Sequence, residues 1–410
     1  MPSPIEKHPG TSKDTDATGL EKALRDGNTA IICDSLDFEA LGVHDLDGTT
    51  LNPASILGAV GEEAVFYHVW AAVKQTIDER SIRRIPKGGL VKASLERLLF
   101  ELGNIILDRV DGPHFSFVDP RRHSDSAGMV RNAKRLVSLF DEKEIHRGKV
   151  VISIPATEEG LKAAKELESQ HGIHTNLYLV SGLLHAAACA EAGATTVTIP
   201  VGPLLDWYEG KRKTHFKDLH THPGVETVQS TLAYFKLHGI KSKVIGSGFR
   251  TLSEIGTLAE FDAICISNHQ ADDLRRSQVS ISITPDSSPA RLRARQAQYP
   301  TAFLSSKPGF MNAMSAETRS MVIATLFVPL GEMKAHMDSL ELVVGKEVVR
   351  QFEMQTLDLK TLYGISPVKS QKIKKTAGDI PARRVRAKRS LAEDLNLEQP
   401  GESIDEDEIF

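Results

Sequence analysis

Cysteine is scarce, with Cys33, Cys189 and Cys265 the only three in 410 residues. They lie far apart and form neither a CxxC pair nor an even framework. That excludes a disulfide-stapled scaffold and points to reduced thiols, buried as small hydrophobic residues in a reducing compartment. Long apolar runs are missing as well. No stretch reaches the roughly 18 consecutive apolar residues that a membrane helix needs, and the opening MPSPIEKHPGTSKDTD lacks the apolar core of a signal peptide. Charge of one sign is not in excess: 50 Lys and Arg stand against 54 Asp and Glu, for a net charge of −4 and a pI near 6.4. Whole-molecule charge therefore gives no reason to expect nucleic acid. No GxGxxG leads from a strand into a helix, and no His, Asp or Cys spacing suggests a metal.

What is present is ordinary for a folded chain. Hydrophobic residues make up 40% and charged residues 25%, which excludes a wholly disordered protein. A chain this long buries a large core without staples. Short apolar runs alternate with helical patterns. The runs predict strands at TAIICD (29–34), DGTTLNP (47–53), HFSFVD (114–119), GKVVISIP (148–155), HTNLYLV (174–180), TTVTIPV (195–201), SKVIGSG (242–248) and DAICIS (262–267). Between them lie helices such as LVKASLERLLFELGNIILDRV (90–110) and the one after IPA, for which Thr157 is the candidate N-cap. Strands interleaved with helices argue for an α/β fold with a parallel sheet, and eight such units close most simply into a (β/α)8 TIM barrel. The stretch 315–344 reads as closing helices interrupted near Pro329.

Both ends read differently from the middle. Residues 1–17 are polar and expected to be disordered, residues 18–346 form the expected barrel, and residues 347–410 form a C-terminal extension, basic then acidic, expected to be largely disordered. Within that extension, residues 369–389 carry nine Lys or Arg and one acid, and residues 391–410 carry eight Asp or Glu and no base. Such blocks are usually solvated. KIKK followed by ARRVRAKR also has the form of a two-part nuclear import signal, so a cytoplasmic protein with nuclear entry and a tail able to hold a protein partner are both open readings.

A long ordered series of segments resembles one family. IPATEEGLKAAKELESQHGIHTN (154–176), AAACAEAGATTVTIPVGPLLDWYEG (186–210) and HPGVETVQSTLAYFKLHGIKSKVIGSGFRTLSEIGTLAEFDAICIS (222–267) resemble transaldolase. CDSLDFEA and TTLNPASIL resemble its first two strands, with one extra residue around Leu51. The resemblance covers about residues 20–345. It implies a class I aldolase barrel that moves a dihydroxyacetone unit from a ketose phosphate to an aldose phosphate in the pentose phosphate pathway, without metal or dissociable cofactor.

The resemblance also implies roles at particular positions. Asp34 falls at the general acid/base of the first strand and Asn52 at the substrate-orienting asparagine of the second. The Schiff-base lysine should end the fourth strand, where this chain has Ser153, flanked without a gap by the strand, Thr157 and Gly160. A hydroxyl cannot form an imine. Phe117 stands where a water-relay glutamate is expected, and Tyr178 where a water-positioning threonine should follow Asn176. Pro203 stands at a phosphate-binding arginine and Gly248 at a phosphate-binding serine, while Arg250 keeps the seventh-strand arginine. The expected ligand-binding set is therefore Asn52, Asn176 and Arg250, around a degenerate Ser153, Phe117, Tyr178, Pro203 and Gly248. His174 and His185 read as satisfied structural residues. Three functions stay open: a transaldolase-like barrel without transaldolase activity that binds a sugar phosphate or polyol, an active transaldolase using another lysine (Lys162, Lys165, Lys241 or Lys243), and a non-catalytic scaffold or homodimer.

Overall fold

The computed structural model describes residues 19–298 and 309–362. The expected disorder of residues 1–17 and the charge blocks 369–389 and 391–410 lie outside the described residues. Residues 347–362 are helical, as the last turns of the helix Ala316–Leu362.

Eight strands close into a barrel in chain order: β1 (Ala30–Asp34), β2 (Gly48–Thr50), β3 (His114–Phe117), β4 (Val150–Pro155), β5 (Thr175–Tyr178), β6 (Thr196–Pro200), β7 (Lys243–Ser247) and β8 (Ala263–Ser267). Every neighbouring pair is parallel, and β8 returns to β1 with Asp34 beside Ser267. The protein has the (β/α)8 architecture expected from its alternating pattern. The strands are apolar along most of their length because a barrel strand is buried on both faces, by its neighbours across the lumen and by helices outside.

Strand side chains alternate in direction, and the alternation sorts this lumen into layers. Ala30, Ile32, Phe115, Val151, Ile245 and Ala263 form a closed apolar plug, with Cys265 packed against it. Each such side chain contributes roughly 1.5–3 kcal/mol on full burial when it is as large as Val, Ile or Phe. Two residues further along three of these strands the inward positions become polar, with Asp34, Ser153 and Ser247 following Ile32, Val151 and Ile245, whereas Phe117 follows Phe115 and Cys265 follows Ala263. The apolar plug thus forms the floor of a cavity at the C-terminal mouth.

Caps start the helices where the turn chemistry expects them. Thr157 Oγ1 accepts from the Gly160 amide at 3.0 Å and donates to the His123 carbonyl at 2.7 Å. Asn52 accepts from the Ser55 amide at 2.9 Å and closes a capping box at the start of Pro53–Ala59. The expectation of a break near Pro329 is corrected, because Ala316–Leu362 is one helix with Pro329 inside it. A proline removes a single N–H from the ladder, and here the flanking turns keep their helical form. Within the barrel unit this helix is tied to the strand-end loops: Ser181 Oγ meets Thr325 Oγ1 at 2.6 Å, and Arg121 binds Asp338 at 2.9 Å.

The chain divides into two compact units. Among the described residues, one holds the barrel, through 19–65, 99–298 and 309–339, and the other comprises 66–98 and 340–362. In the second unit Arg97 pairs with Glu79 at 2.6 Å, and Gln351 donates to the Trp70 carbonyl at 3.0 Å. Among the described residues no single helix is long and apolar enough to cross a membrane.

Candidate active site

The strand ends surround a cavity of about 350 Å3 whose lining is drawn from all eight strands or their C-terminal ends. Asp34, Asn52, Phe117, Ser153, Asn176, Tyr178 and Gly248 all line it, and Arg250 and Pro203 do not. Strand register brings several of these together. Phe117 pairs with Ser153 and Ser153 with Asn176, so the three stand side by side on β3, β4 and β5.

Ser153 is 6% exposed and is held by Asn176, whose Nδ2 donates to Ser153 Oγ at 3.2 Å. The Asn176 Oδ1 in turn accepts from Thr196 Oγ1 at 3.0 Å and Thr198 Oγ1 at 2.8 Å. The amide is therefore fixed in one orientation with its donors toward Ser153. No Lys, Arg or His is among the described residues lining the cavity. Among the described lining residues Ser153 thus has no imidazole or amine to activate it as a nucleophile.

Asp34 is the one carboxylate among the described lining residues. Asn52 Nδ2 donates to its Oδ2, while Oδ1 is buried with no hydrogen-bond partner. Burial pushes the Asp34 carboxyl up to about 6, against the opposing pull of the nearby Ser55 hydroxyl and the Asn52 amide. Such a group exchanges a proton near neutrality, as acid–base catalysts do. Burial, with the charge of Asp34 second, holds the Cys265 thiol well above its ordinary value, so this cavity-lining cysteine is unreactive. Tyr178 is also raised, first by burial and then by Asp119, and remains a neutral phenol.

Arg250 is engaged elsewhere. Its Nε donates to Glu254 at 2.7 Å, and its Nη1 binds Asp206 at 2.5 Å and Glu209 at 3.3 Å. The guanidinium joins the loop after β7 to the helix Val201–Arg212. Beside it the chain passes so closely that a Cβ on Gly202 would lie 2.4 Å from the Gly248 carbonyl, and Gly248 itself adopts φ 63°. Pro203 is exposed, on the first turn of the same helix.

The four lysines considered as substitutes stand away from the cavity. Lys162 and Lys165 are exposed on the helix Glu158–His171, where Lys162 pairs with Glu159, and Lys241 is exposed before β7. Lys243 opens β7 and binds Asp262 at 3.0 Å, at the N-terminal end of the barrel. With about 3.3 Å per strand residue, that is roughly 13 Å below the mouth. His185 is satisfied on both nitrogens, by the Ser181 amide and the Ala156 carbonyl, and His174 by Thr195.

Sequence reasoning passed over several lining residues, among them Thr198, Ser247, Ser267, Gln270 and Met333. The period of two along each strand carries the signal for Thr198 and Ser247. Nothing local marks Met333, which reaches the mouth from a helix far along the chain.

Residues 31–308 match the family described as Transaldolase/Fructose-6-phosphate aldolase. The transaldolase of Kluyveromyces lactis is 33% identical over 310 residues, covering 74% of this chain and 88% of that protein. A Saccharomyces cerevisiae transaldolase is 32% identical over 275 residues, covering 66% and 79%. Transaldolase NQM1 of the same organism is 31% identical over 275 residues, covering 66% and 79%. On fold and sequence together, this chain belongs to the transaldolase/fructose-6-phosphate aldolase family.

Proposed function

We propose that this protein is a transaldolase-family barrel without transaldolase activity, which keeps the cavity of an aldolase and binds a small sugar phosphate or polyol there. One observation carries the reading. Ser153 occupies the β4 position that the resemblance assigns to the Schiff-base lysine, and no amine is among the described residues lining the cavity. The imine route needs a nitrogen nucleophile to attack the ketose carbonyl and then act as an electron sink. Ser153 cannot supply either step. The apolar Phe117 beside it and the phenol Tyr178 further support the loss of a water relay. The positions of Lys162, Lys165, Lys241 and Lys243 speak against a replacement amine. The reading carries with it a cytoplasmic setting, with the basic stretch 369–389 as a route to the nucleus.

Borohydride reduction in the presence of fructose 6-phosphate tests it directly. The intact mass is expected to stay unchanged, and a coupled assay with erythrose 4-phosphate is expected to run at background. A reduced adduct on any lysine overturns the reading and restores a working transaldolase.

A further inference from the structure

Building on the proposed loss of imine chemistry at the same cavity, we propose that the cavity takes an unphosphorylated polyhydroxylated molecule rather than a sugar phosphate. Three independent features of the site converge on this ligand class.

The first is charge. A phosphate monoester carries close to two negative charges at neutral pH and is ordinarily gripped by arginine, lysine or clustered amides. The described lining offers no cation and one carboxylate, Asp34, so an anion in the cavity meets repulsion with nothing to offset it. Arg250, the arginine that the resemblance retains for phosphate, is no substitute. Arg250 already donates to Glu254, Asp206 and Glu209, which leaves a cluster of one cation against three carboxylates. Pro203 and Gly248, at the two other phosphate positions that the resemblance implies, bring no side-chain donor.

The second is hydrogen-bonding capacity. Ser153, Thr198, Ser247 and Ser267 present hydroxyls, and Asn52, Asn176 and Gln270 present amides, around one cavity. Hydroxyls both donate and accept, which suits the hydroxyls of a polyol. Asp34 Oδ1 is buried there without a partner. A ligand hydroxyl donating to it would satisfy an acceptor whose burial is otherwise uncompensated.

The third is shape. Phe115 in the floor and Phe117 and Tyr178 on β3 and β5 supply apolar surface to a cavity of about 350 Å3, interleaved with Ser153 and Asn176. That volume lies at the small end of ligand sites. The C–H faces of a short carbon chain fit the aromatic surface while its hydroxyls reach the polar groups between and around it.

Isothermal titration with sorbitol and sorbitol 6-phosphate tests the inference on the full chain. Neither compound has a carbonyl, so neither forms an imine, and the outcome is independent of the borohydride experiment. Sorbitol is expected to bind, and sorbitol 6-phosphate to bind at least about tenfold more weakly. Inorganic phosphate is expected not to displace sorbitol. Asp34→Ala is expected to weaken sorbitol about tenfold or more, as loss of a charge-assisted bond does. Pro203→Arg, on an exposed helix turn, is expected to raise affinity for sorbitol 6-phosphate about tenfold while leaving sorbitol unchanged. Equal or tighter binding of the phosphate ester by the unmodified protein overturns the inference, as does failure of both compounds to bind. An adduct in the borohydride experiment, with sorbitol still preferred here, would remove the functional reading and leave the ligand class standing.

Discussion

At the scale of single residues, the site turns on what Asp34 and Ser153 have for neighbours. Asp34 sits above the apolar plug with one oxygen bonded to Asn52 and the other unpaired, and its pKa of about 6 records that environment. The ordinary aspartate value is near 3.9, so the folded protein holds this proton more tightly than the unfolded chain. Stability from this group is then greatest below about pH 4 and falls as pH rises through about 6, the reverse of a salt-bridged aspartate. Asp34→Asn is expected to stabilise the fold by about 2–3 kcal/mol at pH 7.5 and to have almost no effect below about pH 4. Thermal melts of both proteins across pH check this, and a difference that grows toward low pH would refute it. At Ser153, restoring an amine alone is expected to give little activity, since Phe117 lies directly alongside in register. Ser153→Lys with Phe117→Glu and Tyr178→Thr is expected to exceed the sum of the single changes, because such groups act as a unit. Steady-state transaldolase assays on the single, double and triple variants measure it, and full rate from Ser153→Lys alone would show the relay to lie elsewhere.

At the scale of elements, Arg250 shows how surroundings set what a side chain binds. It follows β7 where the resemblance calls for a phosphate-binding arginine, and its guanidinium joins the helix Val201–Arg212 to Glu254 on the helix Leu252–Thr257. Glu254 is 1% exposed, so removing the guanidinium leaves a buried carboxylate whose remaining donor here is the backbone amide of residue 250, at 2.8 Å. Arg250→Ala is expected to cost roughly 2–4 kcal/mol, less than for a fully buried pair because the arginine is 29% exposed. Chemical denaturation gives the loss, and the sorbitol titration is expected to be unchanged in the variant. A stable Arg250→Ala protein that no longer binds its ligand would put the guanidinium back at the site. The helix carrying Thr157 illustrates the opposite case, where a cap is legible locally because a threonine, two acids and an apolar period follow one another in sequence.

At the scale of the molecule, the lumen works as one layered object. The plug of Ala30, Ile32, Phe115, Val151, Ile245 and Ala263 draws on five strands, so a defect in it is felt around the whole ring. Phe115 is 1% exposed, and Phe115→Ala is expected to cost about 3–5 kcal/mol through lost burial and the cavity left behind. The same change would open the floor of the ligand cavity, which Phe115 also lines. A fall in the thermal midpoint together with weaker sorbitol binding is the expected pair of outcomes. A fall without any change in binding would show that the floor does not bear on the ligand.

The chain order of apolar runs and helical periods determined most of this architecture, because local propensity and a period of two or of 3.6 are written directly into the residues. Eight strand positions, the Thr157 cap and the serine at the end of β4 were all legible in that way. Which strand residues face the lumen at the same height was not, since barrel register depends on how far each strand slides past its neighbour. That stagger places Phe117, Ser153 and Asn176 in one row. The fate of Arg250 was equally hidden, because the carboxylates that hold it come from positions 206, 209 and 254, and only folding brings them within reach of one guanidinium. Lys243 differs from a catalytic amine by its height along the strand, a coordinate that the sequence does not carry until β7 is docked between β6 and β8. Residue identity decided that a serine stands at the β4 position where the resemblance calls for a lysine, while tertiary packing decided which charges the described lining would keep.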